Sequence, residues 1–147
     1  MIQDITPLAN NINLTTLILK DNLNIDGNRN NYTGERLEAL NKIGEILNRN
    51  GTISIDADKI GLFTNYKVLD LSGQNLTVLD NLEGLVQLED LNLSNNKIKL
   101  EDSKSKEILK SMKNLKNLKL SNNSEISDIS CLNELDNLQY LVIDRMS

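Results

Sequence analysis

The sequence predicts an α/β solenoid with a curved parallel sheet on its concave side and 3₁₀ or helical return segments on its convex side. Three observations lead to this prediction. A grid of aliphatic residues recurs along the 147 residues, a spacing of three apolar residues falls between the grids, and two longer intervals hold amphipathic helical patterns. Each short repeat has an apolar face that only the neighbouring repeats can cover, so such repeats form a stack.

The recurring grid has the order L-x-x-L-x-L-x-x-N. Its first position falls six times, at Leu14, Asn50, Tyr66, Leu88, Leu115 and Leu138. The fourth and sixth positions are aliphatic in every unit: Leu17 and Leu19, Ile53 and Ile55, Leu69 and Leu71, Leu91 and Leu93, Leu118 and Leu120, Leu141 and Ile143. Residues two apart on a strand face the same side, so these two columns predict the core side of a parallel sheet.

The ninth position of the grid is predicted to satisfy backbone groups where the chain turns away from the sheet. Five units have a hydrogen-bonding side chain there and the sixth has methionine: Asn22, Asp58, Gln74, Asn96, Asn123 and Met146. An amide side chain both donates and accepts, so it can pair with the buried N–H and C=O groups of such a turn.

Return segments are predicted between the grids by apolar residues spaced three apart. The clearest runs are Leu79, Leu82, Leu85 and Leu88, and Ile129, Leu132, Leu135 and Leu138. Spacing by three is typical of 3₁₀ or short helical structure. These segments would return the chain along the convex side.

The first inserted helix is predicted within the longest interval of the grid. First positions lie 36, 16, 22, 27 and 23 residues apart. In the interval of 36 residues, one apolar helical face is formed by Leu37, Leu40, Ile43 and Leu47. With Thr33 as the predicted cap, this pattern favours a helix near residues 34–48.

A second, shorter helix is predicted near residues 102–113, within the interval of 27 residues. Ile108, Leu109 and Met112 would form its apolar side, and Asp102 or Ser103 would cap it. Together these elements predict a single domain over residues 1–147 with about six units.

These patterns resemble the leucine-rich repeat family, specifically its short bacterial, internalin-like type. Two runs are similar to the return segment of that type, Asp4-Ile5-Thr6-Pro7-Leu8-Ala9-Asn10 and Ser127-Asp128-Ile129-Ser130-Cys131-Leu132. The resemblance covers most of the chain and implies a leucine-rich repeat solenoid. It does not identify a partner.

The composition argues against an enzyme and against nucleic-acid or membrane binding. There is no histidine, which excludes Ser-His-Asp and Cys-His catalysis and His-ligated metals. The net charge of −5 disfavours electrostatic binding to nucleic acid or anionic lipid. No apolar run approaches the ~18 residues of a membrane span, and no signal peptide is visible. We therefore expect a cytoplasmic, non-catalytic protein without a cofactor.

Two places in the sequence could have a chemical role, one as a reactive thiol and the other as a calcium site. Cys131 lies among apolar residues of a return segment and is interpreted as a buried, unreactive thiol. The loop from Asn22 to Thr33 partly matches a calcium loop of the EF-hand type. It contains one carboxylate, Asp26, and has threonine where a bidentate glutamate is needed. We interpret it as a polar connecting loop, with calcium binding as the alternative.

The concave face is the predicted binding site, because the third, fifth and seventh positions of each unit point away from the core. The candidate residues are Ile18, Asp56, Val68, Asp70, Asp90, Asn92, Asn117, Lys119, Tyr140, Val142 and Asp144. Tyr140 is the only aromatic residue in these columns and is the predicted anchor. Asp56, Asp70 and Asp90 are predicted to form an acidic centre that favours a partner with a basic patch.

The sequence is therefore interpreted as a module that binds another protein through its concave face. Two alternatives stay open: a structural or spacer block that is a fragment of a larger protein, and a protein inhibitor of an enzyme. Neither end of the sequence has an obvious cap, so self-association through uncapped solenoid ends is a further expectation.

Overall fold

Six short strands form one sheet in the computed structural model, which describes residues 2–145. The strands are β1 (Thr16–Ile18), β2 (Thr52–Ser54), β3 (Val68–Asp70), β4 (Asp90–Asn92), β5 (Asn117–Lys119) and β6 (Tyr140–Val142). They follow one another in sequence order, and every neighbouring pair is parallel. The predicted solenoid is confirmed. Met146, the ninth position of the last unit, lies outside the described residues.

The strand register follows the fourth position of the grid. Leu17 lies opposite Ile53, Leu69 opposite Leu91, and Leu118 opposite Leu141, so one aliphatic column runs across the sheet. In strands β2 to β5, the residues of the fourth and sixth positions are at most 3 % exposed. Burying each such side chain contributes about 1.5–3 kcal/mol, and a slip of one residue would turn both columns to solvent. The two columns therefore fix the register.

The convex side is built from 3₁₀ segments and two α-helices. The 3₁₀ segments in the return halves are Thr6–Asn10, Ala57–Leu62, Asp80–Leu82 and Ser130–Glu134. Helix α1 (Gly34–Asn50) packs on the first of them, and helix α2 (Ser103–Ser111) packs on the last two. Both helices were predicted from the apolar pattern. Within residues 2–145, no helix is long and apolar enough to cross a membrane.

Helix α1 begins in a different way from the prediction. Thr33 occupies the N-cap position, but its side chain makes no capping hydrogen bond. The next residue, Gly34, has a φ of +55°, a left-handed conformation that suits glycine. In the first turn, the Arg36 guanidinium lies 4.4 Å from the centroid of the Tyr32 ring and 3.8 Å from the Asp4 carboxylate. The prediction of a Thr33 side-chain cap is therefore wrong.

Helix α2 begins with the side-chain cap that the sequence suggested. The Asp102 carboxylate accepts a hydrogen bond of 3.0 Å from the Ser105 backbone N–H. This hydrogen bond is the main cause that lowers the pKa of Asp102. Of the two predicted caps, the structure uses Asp102. A negative charge at a helix N-terminus also interacts favourably with the helix dipole.

Ser105 ties helix α2 to the neighbouring return segment. The residue is fully buried, and its Oγ accepts a hydrogen bond of 3.0 Å from the Leu79 backbone N–H. We expect Ser105→Ala to lower the free energy of unfolding by about 1–3 kcal/mol, because a buried N–H loses its acceptor. Urea denaturation measures this loss. The exposed Ser103 of the same helix is the matched control, and Ser103→Ala should change the value by less than about 0.5 kcal/mol; equal effects would contradict this role of Ser105.

Candidate functional site

The predicted site residues lie in rows on the face of the sheet opposite the core. In one row, Val68 lies opposite Asp90, Asp90 opposite Asn117, and Asn117 opposite Tyr140. The neighbouring row, two residues further along each strand, consists of Ile18, Ser54, Asp70, Asn92, Lys119 and Val142. Asp56 and Asp144 follow the ends of their strands. The parallel register thus brings the candidate residues onto one continuous surface.

Two carboxylates of the predicted acidic centre are engaged within the chain itself. Asp56 accepts a hydrogen bond of 3.0 Å from the Asp21 backbone N–H, and its carboxylate lies 3.7 Å from Lys59 Nζ. Asp70 accepts a hydrogen bond of 2.9 Å from the Ser72 backbone N–H. Asp70 thus binds its own turn and Asp56 binds a neighbouring unit, and of the three carboxylates Asp56 is the one that also lies near a cation. Among the described residues, Asp70 and Asp90 form no ion pair, so their charges stay available on this face.

Two other polar residues of the face also have hydrogen-bond partners within the chain. Asn92 Oδ1 accepts a hydrogen bond of 3.0 Å from the Ser94 backbone N–H. The Asp144 carboxylate accepts a hydrogen bond from Ser121 Oγ. Both residues stay on the concave surface, but their side chains already have partners.

Four side chains of strands β4 to β6 are available to a ligand. Asp90, Asn117, Lys119 and Tyr140 form no side-chain hydrogen bond or ion pair with any described residue. Asp90 and Asn117 are half-buried by the sheet, whereas Lys119 is exposed. Because they belong to three adjacent strands, they form a compact polar group, which we call the β4–β6 surface.

Tyr140 is the aromatic residue of this β4–β6 surface. The chain has three tyrosines and one phenylalanine. Tyr32, Phe63 and Tyr66 are 1–3 % exposed, whereas Tyr140 is 56 % exposed. Burial is the main cause that raises the pKa of Tyr66, whose hydroxyl donates a hydrogen bond to the Ile60 carbonyl. The exposed ring therefore stands apart from the other aromatic side chains, which belong to the core.

Ile18 and Val68 lie away from the β4–β6 surface. Ile18 is 69 % exposed on β1, at the opposite edge of the sheet from Tyr140. Five strand spacings separate β1 from β6, which corresponds to roughly 24 Å. Val68 is half-buried on β3. The predicted site is thus a long surface whose apolar residues do not form one patch.

The loop from Asn22 to Thr33 uses its oxygen atoms within the loop. The Asp26 carboxylate accepts hydrogen bonds from the Asn28 backbone N–H at 2.9 Å and from Asn31 Nδ2 at 2.8 Å. The first of these bonds is the main cause that lowers the pKa of Asp26. Asn28 Oδ1 accepts from the Asn30 backbone N–H. Over residues 2–145, no group of three or more carboxylate, cysteine or histidine side chains lies close enough together to hold a metal.

A shallow cavity of about 400 Å³ lies beside the loop and the ends of β1 to β3. Lys20 Nζ crosses it and donates hydrogen bonds to the Ser72 and Gly73 carbonyls at 3.2 and 3.0 Å. Lys59, 7 % exposed, lies between the carboxylates of Asp56 and Asp58 at 3.7 and 3.9 Å. The two lysines at the cavity are therefore bound within the chain, Lys20 to backbone carbonyls and Lys59 to carboxylates.

Cys131 is buried in the last return segment, as predicted. It is 4 % exposed, and burial is the main cause that raises the pKa of its thiol. A raised pKa reduces the thiolate fraction at neutral pH, so the residue belongs to the core.

Comparison with solved structures places this geometry among known folds. No protein-family model and no curated protein matches the sequence. Seventeen chains of solved structures match it. One is an internalin (inlF) from Listeria monocytogenes, similar over 96 % of this chain with a TM-score of 0.55 and 21 % identity. The chain has an internalin-like leucine-rich repeat fold. Internalin C2 (inlC2) of the same organism is similar over 97 % of this chain, with 24 % identity and a TM-score of 0.46.

The internalin-like chain is shorter than these neighbours. It spans 44 % of the inlF chain and 67 % of the inlC2 chain. The structural similarity to inlF, at 21 % identity, shows the fold alone.

One stretch of the chain, from the second half of the Leu88 unit to the end of β5, is strongly basic although the chain is acidic. Residues 97–119 contain eight of the 16 lysines and arginines and three of the 21 acidic residues, a local net charge of +5. Several of these lysines reach to neighbouring units: Lys104 pairs with Asp80 at 3.6 Å, and Lys116 pairs with Glu89 at 3.1 Å. On the other side, Lys113 lies 3.5 Å from Glu134, so the basic stretch is partly neutralised by acidic residues of the preceding and following segments.

Proposed function

We propose that this chain is a non-catalytic module that binds another protein through the β4–β6 surface. The observation that carries the proposal is that the Tyr140 side chain is 56 % exposed on β6, whereas Tyr32, Phe63 and Tyr66 are buried in the core. A tyrosine on a rigid strand offers a large apolar ring and a polar hydroxyl at low entropic cost. Tyrosine is also enriched among residues that dominate binding energy.

The polar neighbours of Tyr140 supply the specificity of the proposed interface. Asn117 lies beside Tyr140 in the same row, and Lys119 lies beside Val142 in the next row. Asp90 lies one strand and two residues away from Lys119, a separation of about 8 Å by strand geometry. We expect the partner to place a basic group opposite Asp90 and an acidic group opposite Lys119.

This arrangement narrows the basic patch that the sequence suggested for the partner. Asp56 and Asp70 already have partners within the chain, at 3.0 and 2.9 Å. A backbone hydrogen bond leaves the charge of Asp70 in place, whereas the Asp56 carboxylate lies 3.7 Å from Lys59 Nζ, so we expect the basic patch of the partner to face Asp70 and Asp90.

Photo-crosslinking by position tests the proposed surface. A photoreactive amino acid replaces Asn117 or Tyr140 on the concave side, and Asn81 or Asn133 in the convex return segments as matched exposed controls. We expect one protein to be crosslinked from both concave positions and from neither convex position. Tyr140→Ala should then reduce the crosslink formed at position 117.

Two results would contradict the proposal. Crosslinks to a protein from the convex positions alone would show that the interface lies on the convex side. Absence of crosslinks from all four positions in the native host extract would favour the spacer alternative. If the crosslinked protein is an enzyme and its activity falls when the chain is added, the β4–β6 surface is still the binding site. The chain would then be a protein inhibitor of that enzyme.

A further inference from the structure

The turns that follow the strands are joined to one another by a ladder of backbone hydrogen bonds. In this ladder, the N–H of the eighth position donates to the carbonyl of the seventh position in the next unit. It connects the last four units: Gly73 donates to Ser94 at 3.0 Å, Asn95 to Ser121 at 2.8 Å, and Asn122 to Asp144 at 3.0 Å. The turns of these units therefore contact each other directly, as their strands do.

The unit of β2 interrupts the ladder. Its eighth position, Ala57, begins the 3₁₀ segment Ala57–Leu62, whereas the other five units have a left-handed residue there. Alanine suits a left-handed conformation less well than glycine, asparagine or aspartate. The Ala57 N–H donates to Gln74 Oε1 at 2.8 Å, and the Asp21 N–H donates to the Asp56 carboxylate at 3.0 Å. Side chains thus replace the backbone bonds, and the unit lacks the turn that its neighbours have.

A gap lies where that turn is missing. The cavity of about 400 Å³ described above has its walls in the turns at residues 20–23 and 73–76, and we call it the β2 cleft. These turns follow β1 and β3, which are two strand spacings apart, roughly 9.6 Å. One extended chain takes this much room between two others. Both walls belong to units within the stack, so repeats added beyond β1 or β6 would leave the gap open.

The walls of the β2 cleft combine apolar and acidic side chains. Leu23 on one wall is 77 % exposed, and Leu76 on the other is half-buried. The Asp21 side chain is exposed and forms no hydrogen bond or ion pair with any described residue. The Asp58 side chain is 79 % exposed, with Lys59 Nζ at 3.9 Å. Because both lysines of the cleft are bound within the chain, it offers a ligand two carboxylates and two leucines.

We propose that the β2 cleft binds an extended segment of a partner protein that has an arginine and an aliphatic residue two positions apart. Side chains two apart on an extended chain point to the same side, so both would face into the cleft. The guanidinium would bind the carboxylates of Asp21 and Asp58, since its fork of N–H donors matches carboxylate oxygens. The aliphatic side chain would contact Leu23 and Leu76. This site is separate from the β4–β6 surface.

A peptide titration of the full chain, followed by its backbone amide NMR signals, tests the β2 cleft. The probe is a capped pentapeptide of serine with leucine at its second position and arginine at its fourth. The control peptide has citrulline in place of arginine, which keeps the shape and removes the charge. We expect saturable shifts below about 10 mM peptide, largest at Asp21, Leu23, Asp58 and Gly73. The citrulline peptide should bind at least about fivefold more weakly.

Aspartate variants assign the charge to the cleft. Asp21→Asn combined with Asp58→Asn should weaken binding of the arginine peptide at least about fivefold and change binding of the citrulline peptide less than about twofold. Asparagine tolerates the φ of +68° at position 21, so the fold is kept. Asp136→Asn, at an exposed aspartate outside the cleft, is the matched control and should change neither. If the double variant lowers the melting temperature, Asp58→Asn alone takes its place.

Four outcomes would overturn the proposal. The first is the absence of saturable shifts at about 10 mM peptide. The second is equal binding of the arginine and citrulline peptides. The third is an equal loss of binding in Asp136→Asn and in the double variant. The fourth is a set of shifts confined to strands β4 to β6, which would place the peptide on the β4–β6 surface instead.

Discussion

Replacing Asn123 with alanine is expected to lower the free energy of unfolding by about 3–5 kcal/mol. The side chain is fully buried at the ninth position of its unit. Its Nδ2 donates to the Leu120 carbonyl at 2.8 Å and to the Leu93 carbonyl at 2.9 Å, and its Oδ1 accepts from the Ile98 N–H at 3.1 Å. Alanine would leave the Leu120 carbonyl and the Ile98 N–H without their partner, while the Leu93 carbonyl would keep the hydrogen bond of 2.9 Å from Asn96 Nδ2. Each buried group left unsatisfied costs about 1–3 kcal/mol, and the cavity left by the side chain adds to this loss.

Equilibrium unfolding in urea measures the loss, with Asn133→Ala as the control. Asn133 is an exposed asparagine in the return segment Ser130–Glu134, so its replacement should change the free energy of unfolding by less than about 0.5 kcal/mol. A loss below about 1 kcal/mol for Asn123→Ala would contradict the structural role given to the ninth position. Such a result would imply that water satisfies the turn.

Leu91→Ala is expected to lower the free energy of unfolding by about 3–5 kcal/mol, and Leu141→Ala by no more than about 1.5 kcal/mol. Both leucines occupy the fourth grid position, on β4 and β6. Leu91 is fully buried, so its removal loses transfer energy and leaves a cavity. Leu141 is 36 % exposed at the edge of the sheet, and solvent or the neighbouring side chains can fill the space.

Urea denaturation at low protein concentration compares the two leucine variants without a contribution from association. The pair is matched in residue type, column and substitution, so the difference measures burial alone. Equal losses for both variants would contradict the described edge, because they would imply that Leu141 is covered as completely as Leu91.

The ninth position shows both the reach and the limit of prediction from sequence. Asn96 and Asn123 are buried and bind the turn as predicted. Asp58 is exposed instead, because the 3₁₀ segment Ala57–Leu62 begins one residue earlier and redirects the chain. Gln74 of the next unit reaches back to the Ile55 carbonyl at 2.7 Å and accepts from the Ala57 N–H at 2.8 Å.

The eighth position of the grid also has a regular backbone conformation, which the sequence analysis did not predict. The eighth position has a φ between +56° and +68° in five units, at Asp21, Gly73, Asn95, Asn122 and Arg145. Glycine, asparagine and aspartate tolerate this left-handed conformation better than other residues. Four of the five positions carry one of these residue types, which was the available signal. It explains part of the abundance of asparagine in the chain.

The hydrogen-bond partners of the acidic residues on the concave face could not be predicted from the grid. The Asp56 carboxylate accepts from the N–H of Asp21, which lies 35 residues earlier in the chain. Asp70 accepts from the N–H of Ser72, two residues later. The alternation of a strand predicts which face a side chain points to. Whether the side chain stays available depends on turns that form only after the units stack.

Binding affinity on the two sides of the sheet tests the central claim most directly. With the crosslinked partner purified, titration calorimetry compares Tyr140→Ala with Asn81→Ala, an exposed residue of the convex segment Asp80–Leu82. We expect Tyr140→Ala to weaken binding at least about tenfold, or about 1.4 kcal/mol, and Asn81→Ala to change it less than about twofold. Unchanged affinity for Tyr140→Ala together with weakened binding by Asn81→Ala would contradict binding through the concave β4–β6 surface.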